Sequence, residues 1–517
     1  MYISRSFCGP RPLPWRADGY RRTGGREAGV ILHFNHVSRG KSAKSLGELT
    51  GLVTASLTTL AEGGAIDPKL LRALRVHLDW IHYKTNFREP VMVRRTTMPA
   101  GQPGPLAEIA IDLRQANPET LPGRIAHAVA KAHVANAAFD EDRVYLDGFV
   151  PWRESIIWKF NRMFWQWLPE WEAASGRGFE EALPSGSSDA NHPAAVADSV
   201  GEFWRLLKDL EGRHQLPPEI IALEIGGGSG MRAKAWLDGF KALDEQSGTG
   251  YYAKLKFILG DYSPATLERA LKAVQGHAGH VCGVPMDALN PFKSLQAMRF
   301  KVMYVHLTNV YDNLPFDELV RRDGRHYIVE TRGYIPSADV EQLHASFGIA
   351  GRDLPGLVER MLHEGPSAAG PGERGVAFWR QLWAAFRLEE RLRLLDDGEE
   401  AHVPPGLTRL HLDDLLAEAP DDIRFHVSRG AAESFANTLP LLHPRGYLQV
   451  QDIFVSSMDE YRQAFKGPGK LDGSLVVWVN GALLRAVGAR AGYDVHFAPF
   501  PYRPGSKTNV LYTTQRP

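Results

Sequence analysis

The stretch Ile220-Ile221-Ala222-Leu223-Glu224-Ile225 is an apolar run carrying one acid, and it stops at Gly226-Gly227-Gly228-Ser229-Gly230. A short apolar run of this kind suits a parallel strand covered on both faces. The following Met231 to Leu243 places Ala233, Trp236, Leu237 and Phe240 near one helical face. Strand, glycine turn and helix in succession form the geometry of a nucleotide-type site. Glycine lets the backbone turn sharply and lets a ligand approach the peptide chain closely. The spacing narrows the ligand. A dinucleotide turn that starts at Gly226 needs a third glycine at position 231, which is Met231. No Gly-Lys-Ser/Thr follows, so a P-loop is excluded. What remains is an acid followed by alternating glycines, Glu224-x-Gly226-x-Gly228-x-Gly230.

More of an open α/β sheet follows in order. Lys254 to Leu259 reads as a second strand that ends at Gly260-Asp261-Tyr262-Ser263-Pro264, and a helix is expected over Ala265 to Val274. An acid at this strand tip can accept from two ribose hydroxyls. Asp261 is therefore a candidate ligand, its competing role being that of a turn acid. His280 to Val284 reads as a third strand, followed by Met286 and Asp287. Phe300 to Leu307 reads as a fourth strand that runs into Thr308-Asn309-Val310-Tyr311-Asp312-Asn313-Leu314-Pro315. Ligands of open sheets lie outside the carboxyl ends of the strands, so His306, Asn309, Tyr311 and Asp312 are expected at the reacting face. Gly446 to Phe454, Tyr493 to Phe497 and Asn509 to Thr513 complete the expected strands, with a helix over Ser474 to Gly492.

The acid-glycine pattern resembles motif I of the class I S-adenosylmethionine (SAM) methyltransferases. The resemblance covers about Ile220 to the C-terminus. It implies a Rossmann-like seven-stranded sheet with SAM as cofactor. The implied cofactor set is Glu224, Gly226, Gly228, Ser229, Gly230, Asp261, Met286 and Asp287. A narrower resemblance, to the MidA family, rests on Thr308 to Pro315 after strand four, where Asp312, Leu314 and Pro315 match and Tyr311 stands for Phe, on the hairpin at Val320 to Gly324 and on the helix start at Gly473 to Val479. That family includes a mitochondrial complex I assembly factor that methylates arginine on a partner protein. The chain departs from the family where Asn309 replaces Glu and Thr308 replaces Asn. The resemblance implies methyl transfer to an arginine-like side-chain nitrogen, with Asp312 as the acid that holds the acceptor and takes a proton, and Tyr311 and Asn309 as positioning groups. His306 would be the base if the acceptor were a small-molecule oxygen. A weakly active or inactive assembly protein on the same fold is the alternative from a different class.

The rest of the chain divides by pattern. Residues 1–44 are rich in arginine and poor in acids, broken by Gly and Pro, and are expected to be a disordered tail. An organelle-targeting role is the competing reading, which leaves cytoplasm or an organelle matrix as the expected location. Residues 45–214 are expected to be mostly helical, including Leu46 to Leu60 and Pro68 to Tyr83. The aromatic segment Trp152 to Trp171 reads as buried helix first and substrate wall second. Ser175 to Ala194 reads as a linker. The methyltransferase domain is expected over 215–315 and 425–517. Residues 316–424 form an insertion, a hairpin around Asp323-Gly324 and then helices, with Trp379, Trp383 and Phe386 docking on the N-terminal helices. Sixty basic residues balance sixty acidic ones, which disfavours a nucleic-acid partner. Two cysteines support neither a disulfide framework nor a cysteine-rich zinc site. No apolar run reaches the ~20 residues needed to span a bilayer.

Overall fold

The computed structural model describes residues 2–5, 31–35, 43–63, 74–79, 83, 85–97, 106–132, 142–183, 186–322, 324–395, 403–417, 419, 423–462 and 467–517. The second half of the chain builds a seven-stranded sheet. Its strands are β1 (Ile220–Ile225), β2 (Leu255–Asp261), β3 (Val281–Pro285), β4 (Val302–Thr308), β5 (Leu442–Asp452), β6 (Tyr493–Pro499) and β7 (Asn509–Gln515). The spatial order is 3-2-1-4-5-7-6. Strands one to five pair in parallel, and β7 enters antiparallel between β5 and β6. Every residue of β1 is buried, as its unbroken apolar run requires. One face of the sheet packs on α2 (Pro193–Gly212) and α3 (Met231–Ser247), through Phe203, Trp236, Phe240 and Tyr304. The other face packs on Phe435, Leu484 and Val487, from the helices Arg429–Thr438 and Gly481–Arg490. The order of the strands puts β1 and β4 side by side, so chain connections diverge there and leave a crevice.

The N-terminal region and the insertion depart from expectation together. They share a second, mixed sheet of eleven strands. The N-terminal region contributes Arg75–Asp79, Val91–Thr96 and Leu106–Asp112, and the insertion contributes Asp317–Arg322, Arg325–Pro336, Arg387–Leu394 and Ile423–Val427. The expected helix over Pro68 to Tyr83 is corrected at 75–79, which is a strand; residues 64–73 and 80–82 lie outside the described residues. Helix Ala43–Glu62 covers the expected Leu46 to Leu60. The expected tail also contains parallel strands Tyr2–Arg5 and Ile31–Asn35, which corrects the disordered reading for those residues; the remainder of 1–42 lies outside the described residues.

The physical reason for the misreading is a row of charged side chains that point inward. Arg424 donates to Glu318 and, through Nη2, to Glu390 Oε1 at 2.6 Å. Arg88 Nε donates to the same Glu390 at 2.8 Å, and Arg94 Nε reaches its other oxygen at 3.2 Å. Burial alone would raise the Glu390 carboxyl; Arg424, Arg88 and Arg94 outweigh it and hold it well below the usual range. Charged residues at alternate strand positions look solvated in sequence, so the period-two signal is lost.

The helical part of the insertion does dock where expected. Trp379 stacks edge-on against Trp171 at 4.6 Å between centroids, and Phe386 against Phe160 at 4.9 Å. The helix ends at Ala385, however, and Arg387–Leu394 is a strand. Likewise the helix expected from Ser474 begins only at Gly481, where Asn480 caps it by accepting from Leu483 N–H. His277 is buried and bonded to Tyr252 and Asp238.

Candidate active site

The crevice at the carboxyl ends of β1, β2 and β4 opens into a cavity of about 590 Å³. That is within the size range of sites that enclose a small ligand. The turn after β1 forms its floor. Gly226, Gly228 and Gly230 adopt φ of +77°, +53° and +75°, a left-handed backbone that side chains rarely take. Gly226 N–H and Gly227 N–H both donate to Gly260 carbonyl, at 2.8 and 3.2 Å, which ties the turn to the tip of β2. A side chain at Gly230 would stand 2.7 Å from the Ala270 backbone, so this glycine lets α3 approach α4 (Pro264–Ala273). At Gly228 a side chain would meet nothing closer than 4.0 Å. Its glycine is set by φ and by open space rather than by packing.

Asp261 closes the neighbouring corner. Its Oδ2 accepts from Gly228 N–H at 3.1 Å and its Oδ1 from Ser263 N–H at 3.0 Å. Burial raises this carboxyl, while those two backbone donors pull it down. Met286 is buried beside Gly260, and Asp287 holds its own turn by accepting from Leu289 N–H at 2.9 Å. All eight residues Glu224, Gly226, Gly228, Ser229, Gly230, Asp261, Met286 and Asp287 belong to this corner, and all but Gly230 line the cavity. Glu224 does so as half of a buried pair: its Oε2 accepts from Arg232 Nη1 at 2.7 Å. Arg232 Nη2 also donates to Tyr304 Oη at 2.6 Å. Burial pushes the Glu224 carboxyl above its ordinary value against the pull of Arg232.

The four residues expected at the reacting face separate. Asn309 lines the cavity. It holds φ of +51° at the tip of β4, a conformation Asn tolerates better than most residues. His306, Tyr311 and Asp312 do not line it, which corrects the expected reacting face. His306 is fully buried between Tyr304, Gln449 and Thr308. Burial and the nearby Arg232 keep its ring well below its ordinary pKa, so it stays neutral. Tyr311 packs into the core under the sheet. Asp312 is tucked behind the wall because Asp452 Oδ2 accepts from the backbone N–H of Tyr311 and Asp312, at 2.9 and 3.2 Å. That contact draws the whole turn inward. Burial first, and Asp452 second, hold the Asp312 carboxyl well above the usual range.

The roof of the cavity comes from residues that the sequence reading treated as core or linker. Helix α1 (Ile156–Gln166) has two faces. Phe160 and Phe164 are buried in the core, whereas Trp158, Arg162 and Trp165 line the cavity. Trp165 Nε1 donates to Asn313 Oδ1 at 3.0 Å, and Asn161 Nδ2 donates to Asn313 carbonyl at 3.3 Å. These bonds fasten α1 to the turn after β4. The supposed linker follows as the rest of the roof: Phe179, Glu180, Ser188 and Asn191 line the cavity. Glu172 pairs with Arg269 of α4, and Arg162 Nε donates to Tyr262 Oη at 2.9 Å. A seven-residue helical spacing of Trp158 and Trp165 was the available signal for a second exposed aromatic face. The Gly/Ser-rich roof carried none. Among the described residues no group of His, Cys, Asp and Glu is arranged to hold a metal ion, and no helix is long and apolar enough to cross a membrane.

The fold is an α/β sheet whose strand ends open into a roofed cavity. No family model and no curated protein matches the chain. Solved structures are similar at low identity. One is a COG1565 superfamily protein from Burkholderia thailandensis with S-adenosyl-homocysteine bound, at 14% identity and TM-score 0.42, covering 75% of this chain and 91% of that one. Another is the DszA carbon methyltransferase, at 11% identity and TM-score 0.30, covering 79% of this chain and 73% of that one. An O-methyltransferase family protein from Burkholderia thailandensis is similar at 10% identity and TM-score 0.25, over 69% and 71% of the two chains. Likeness this distant carries no functional weight, and the functional reading stands on the geometry of the site.

Proposed function

We propose that the protein is a SAM-dependent methyltransferase. The observation that carries this reading is the left-handed glycine turn after β1, open to the cavity at Gly228, with Asp261 at the adjoining strand tip. The seven-stranded sheet supports it, because a Rossmann-like sheet of seven strands is what the resemblance to class I methyltransferases implies. The residues fit the donor. Asp261 has lone pairs left for ribose hydroxyls, Met286 offers an apolar wall for the base, and the bare backbone at Gly228 permits close approach. SAM supplies an electrophilic methyl group on a sulfonium. The chain's own contribution is to align an acceptor and exclude water, which is most of what an in-line displacement needs. The aromatic roof of Trp158, Trp165 and Phe179 excludes water, and Asn309 orients the acceptor.

For the acceptor, a small molecule is the reading the geometry favours. The acid expected to hold an arginine, Asp312, is buried behind the wall, and α1 with the segment after it covers the cavity. The second reading is an arginine-like side-chain nitrogen of a partner protein. It is favoured by Glu181 on the cavity wall, since a carboxylate can hold a guanidinium. Calorimetric titration of the purified chain with S-adenosyl-homocysteine tests the donor assignment. Wild type is expected to bind, and Asp261→Ala to bind at least about tenfold more weakly. No heat of binding from folded wild type would remove the proposal.

A further inference from the structure

An acid at the end of the first strand is the obvious group to meet the ammonium of a methionine-derived donor. Here that acid is already committed. Glu224 is buried against Arg232 at 2.7 Å, and Arg232 is in turn held by Tyr304. A carboxylate paired in this way has no free charge to offer a second cation. A different acid touches the glycine turn. Glu180, half-buried on the short helix Phe179–Ala182 of the roof, accepts from Ser229 Oγ through Oε1 at 3.3 Å. Its other oxygen accepts from Asn191 Nδ2. Both partners are neutral. The other acids of the cavity are placed differently: Asp261 accepts from Gly228 and Ser263 N–H and is assigned to the ribose, Glu172 is paired with Arg269, Glu181 is exposed, and Asp287 lies at the β3 end of the crevice. Glu180 thus brings to the glycine turn a carboxylate whose two hydrogen-bond partners are both neutral.

We propose that Glu180 is the residue that binds the α-ammonium of the donor's aminoacyl end, and that Glu224 serves only to hold Arg232. This rests on the donor assignment above. A charged hydrogen bond between a carboxylate and an ammonium is stronger than a neutral one, and stronger again under a roof that excludes water. The assignment also gives the roof a purpose. Residues after α1 do not merely cover the crevice; they complete the donor site from above, so donor and roof stabilise each other.

Two probes separate the possibilities: S-adenosyl-homocysteine, which has the aminoacyl end, and 5′-methylthioadenosine, which lacks it. Binding of each to wild type and to Glu180→Gln is measured by calorimetry, with thermal midpoints as a control for folding. Gln keeps the bonds to Ser229 and Asn191 within reach and removes only the charge. The expected result is a loss of about tenfold or more for S-adenosyl-homocysteine and less than about twofold for methylthioadenosine. Equal weakening of both probes would mean that Glu180 only shapes the roof, and would overturn the inference. Unchanged affinity for both would overturn it while leaving the donor assignment standing. Failure of wild type to bind either probe would overturn both. Glu224→Gln serves as the contrasting variant: a loss specific to S-adenosyl-homocysteine there, with none in Glu180→Gln, would return the role to Glu224.

Discussion

Glu224 and Arg232 form a buried ion pair, Oε2 to Nη1 at 2.7 Å, between the end of β1 and the first turn of α3. The pair fixes the angle at which the glycine turn leaves the strand, because one residue lies before the turn and the other after it. Removing one partner leaves the other buried and uncompensated. Arg232→Met is therefore expected to cost about 3–5 kcal/mol. The double variant Glu224→Gln, Arg232→Met is expected to recover part of that loss. Urea unfolding midpoints measure both, and a double variant no more stable than the single one would show that the pair itself is not the source.

The three left-handed glycines are expected to respond differently to alanine. Gly230→Ala drives a methyl into the Ala270 backbone at 2.7 Å and is expected to destabilise by ~2–4 kcal/mol. Gly228→Ala meets open space, so only the backbone strain of about 1 kcal/mol is expected. Its effect is instead on binding, where affinity for S-adenosyl-homocysteine should fall while the thermal midpoint barely moves. Measuring both quantities on both variants checks the division between packing and ligand space.

Asp312 and Asp452 predict a pH dependence of stability. Burial raises Asp452 to about 7 in the folded chain, and Asp312 is raised as well. In the unfolded chain both titrate near the ordinary value of about 4. The folded form therefore holds more protons between pH ~4 and ~7, and the pair's contribution to stability decreases as pH rises through that window. Asp312→Asn is expected to flatten this part of the profile. Unfolding midpoints from pH 4 to 8 give the slope; an identical slope in the variant would exclude the pair as its origin.

The second sheet depends on Arg424, which donates to both Glu318 and Glu390. Arg424→Met leaves two buried carboxylates short of a partner, and a loss of about 3–5 kcal/mol is expected. The N-terminal strands meet the insertion at this network. Limited proteolysis should accordingly cut the variant faster within residues 43–132 than within the seven-stranded sheet. Uniform acceleration across the chain would argue instead for global unfolding.

The seven-stranded sheet was legible because its central strands, such as Ile220–Ile225 and Leu255–Asp261, are largely apolar and end at glycine or a polar turn, and such signals are local. Glu224, Gly228 and Asp261 could be placed at the crevice for the same reason: each sits at or just after the end of a strand that could be recognised alone. Of the charged second sheet only the hairpin of Asp317–Arg322 and Arg325–Pro336 was legible. Arg424, Glu318 and Glu390 look like solvated residues until the strands that carry them come together. His306, Tyr311 and Asp312 were misassigned because strand-end position gives the neighbourhood of a residue and not the direction of its side chain. Asp452, 140 residues after Asp312 in the chain, set that direction.

The sequence by itself determined the turn after β1, since glycine at three alternating positions adopts left-handed backbone at no steric cost whatever surrounds it. Tertiary structure alone decided what faces the cavity. Trp158, Arg162 and Glu180 reach it because α1 and the segment after it fold back over the strand ends. That closure depends on long-range contacts such as Trp165 with Asn313, which no local pattern encodes.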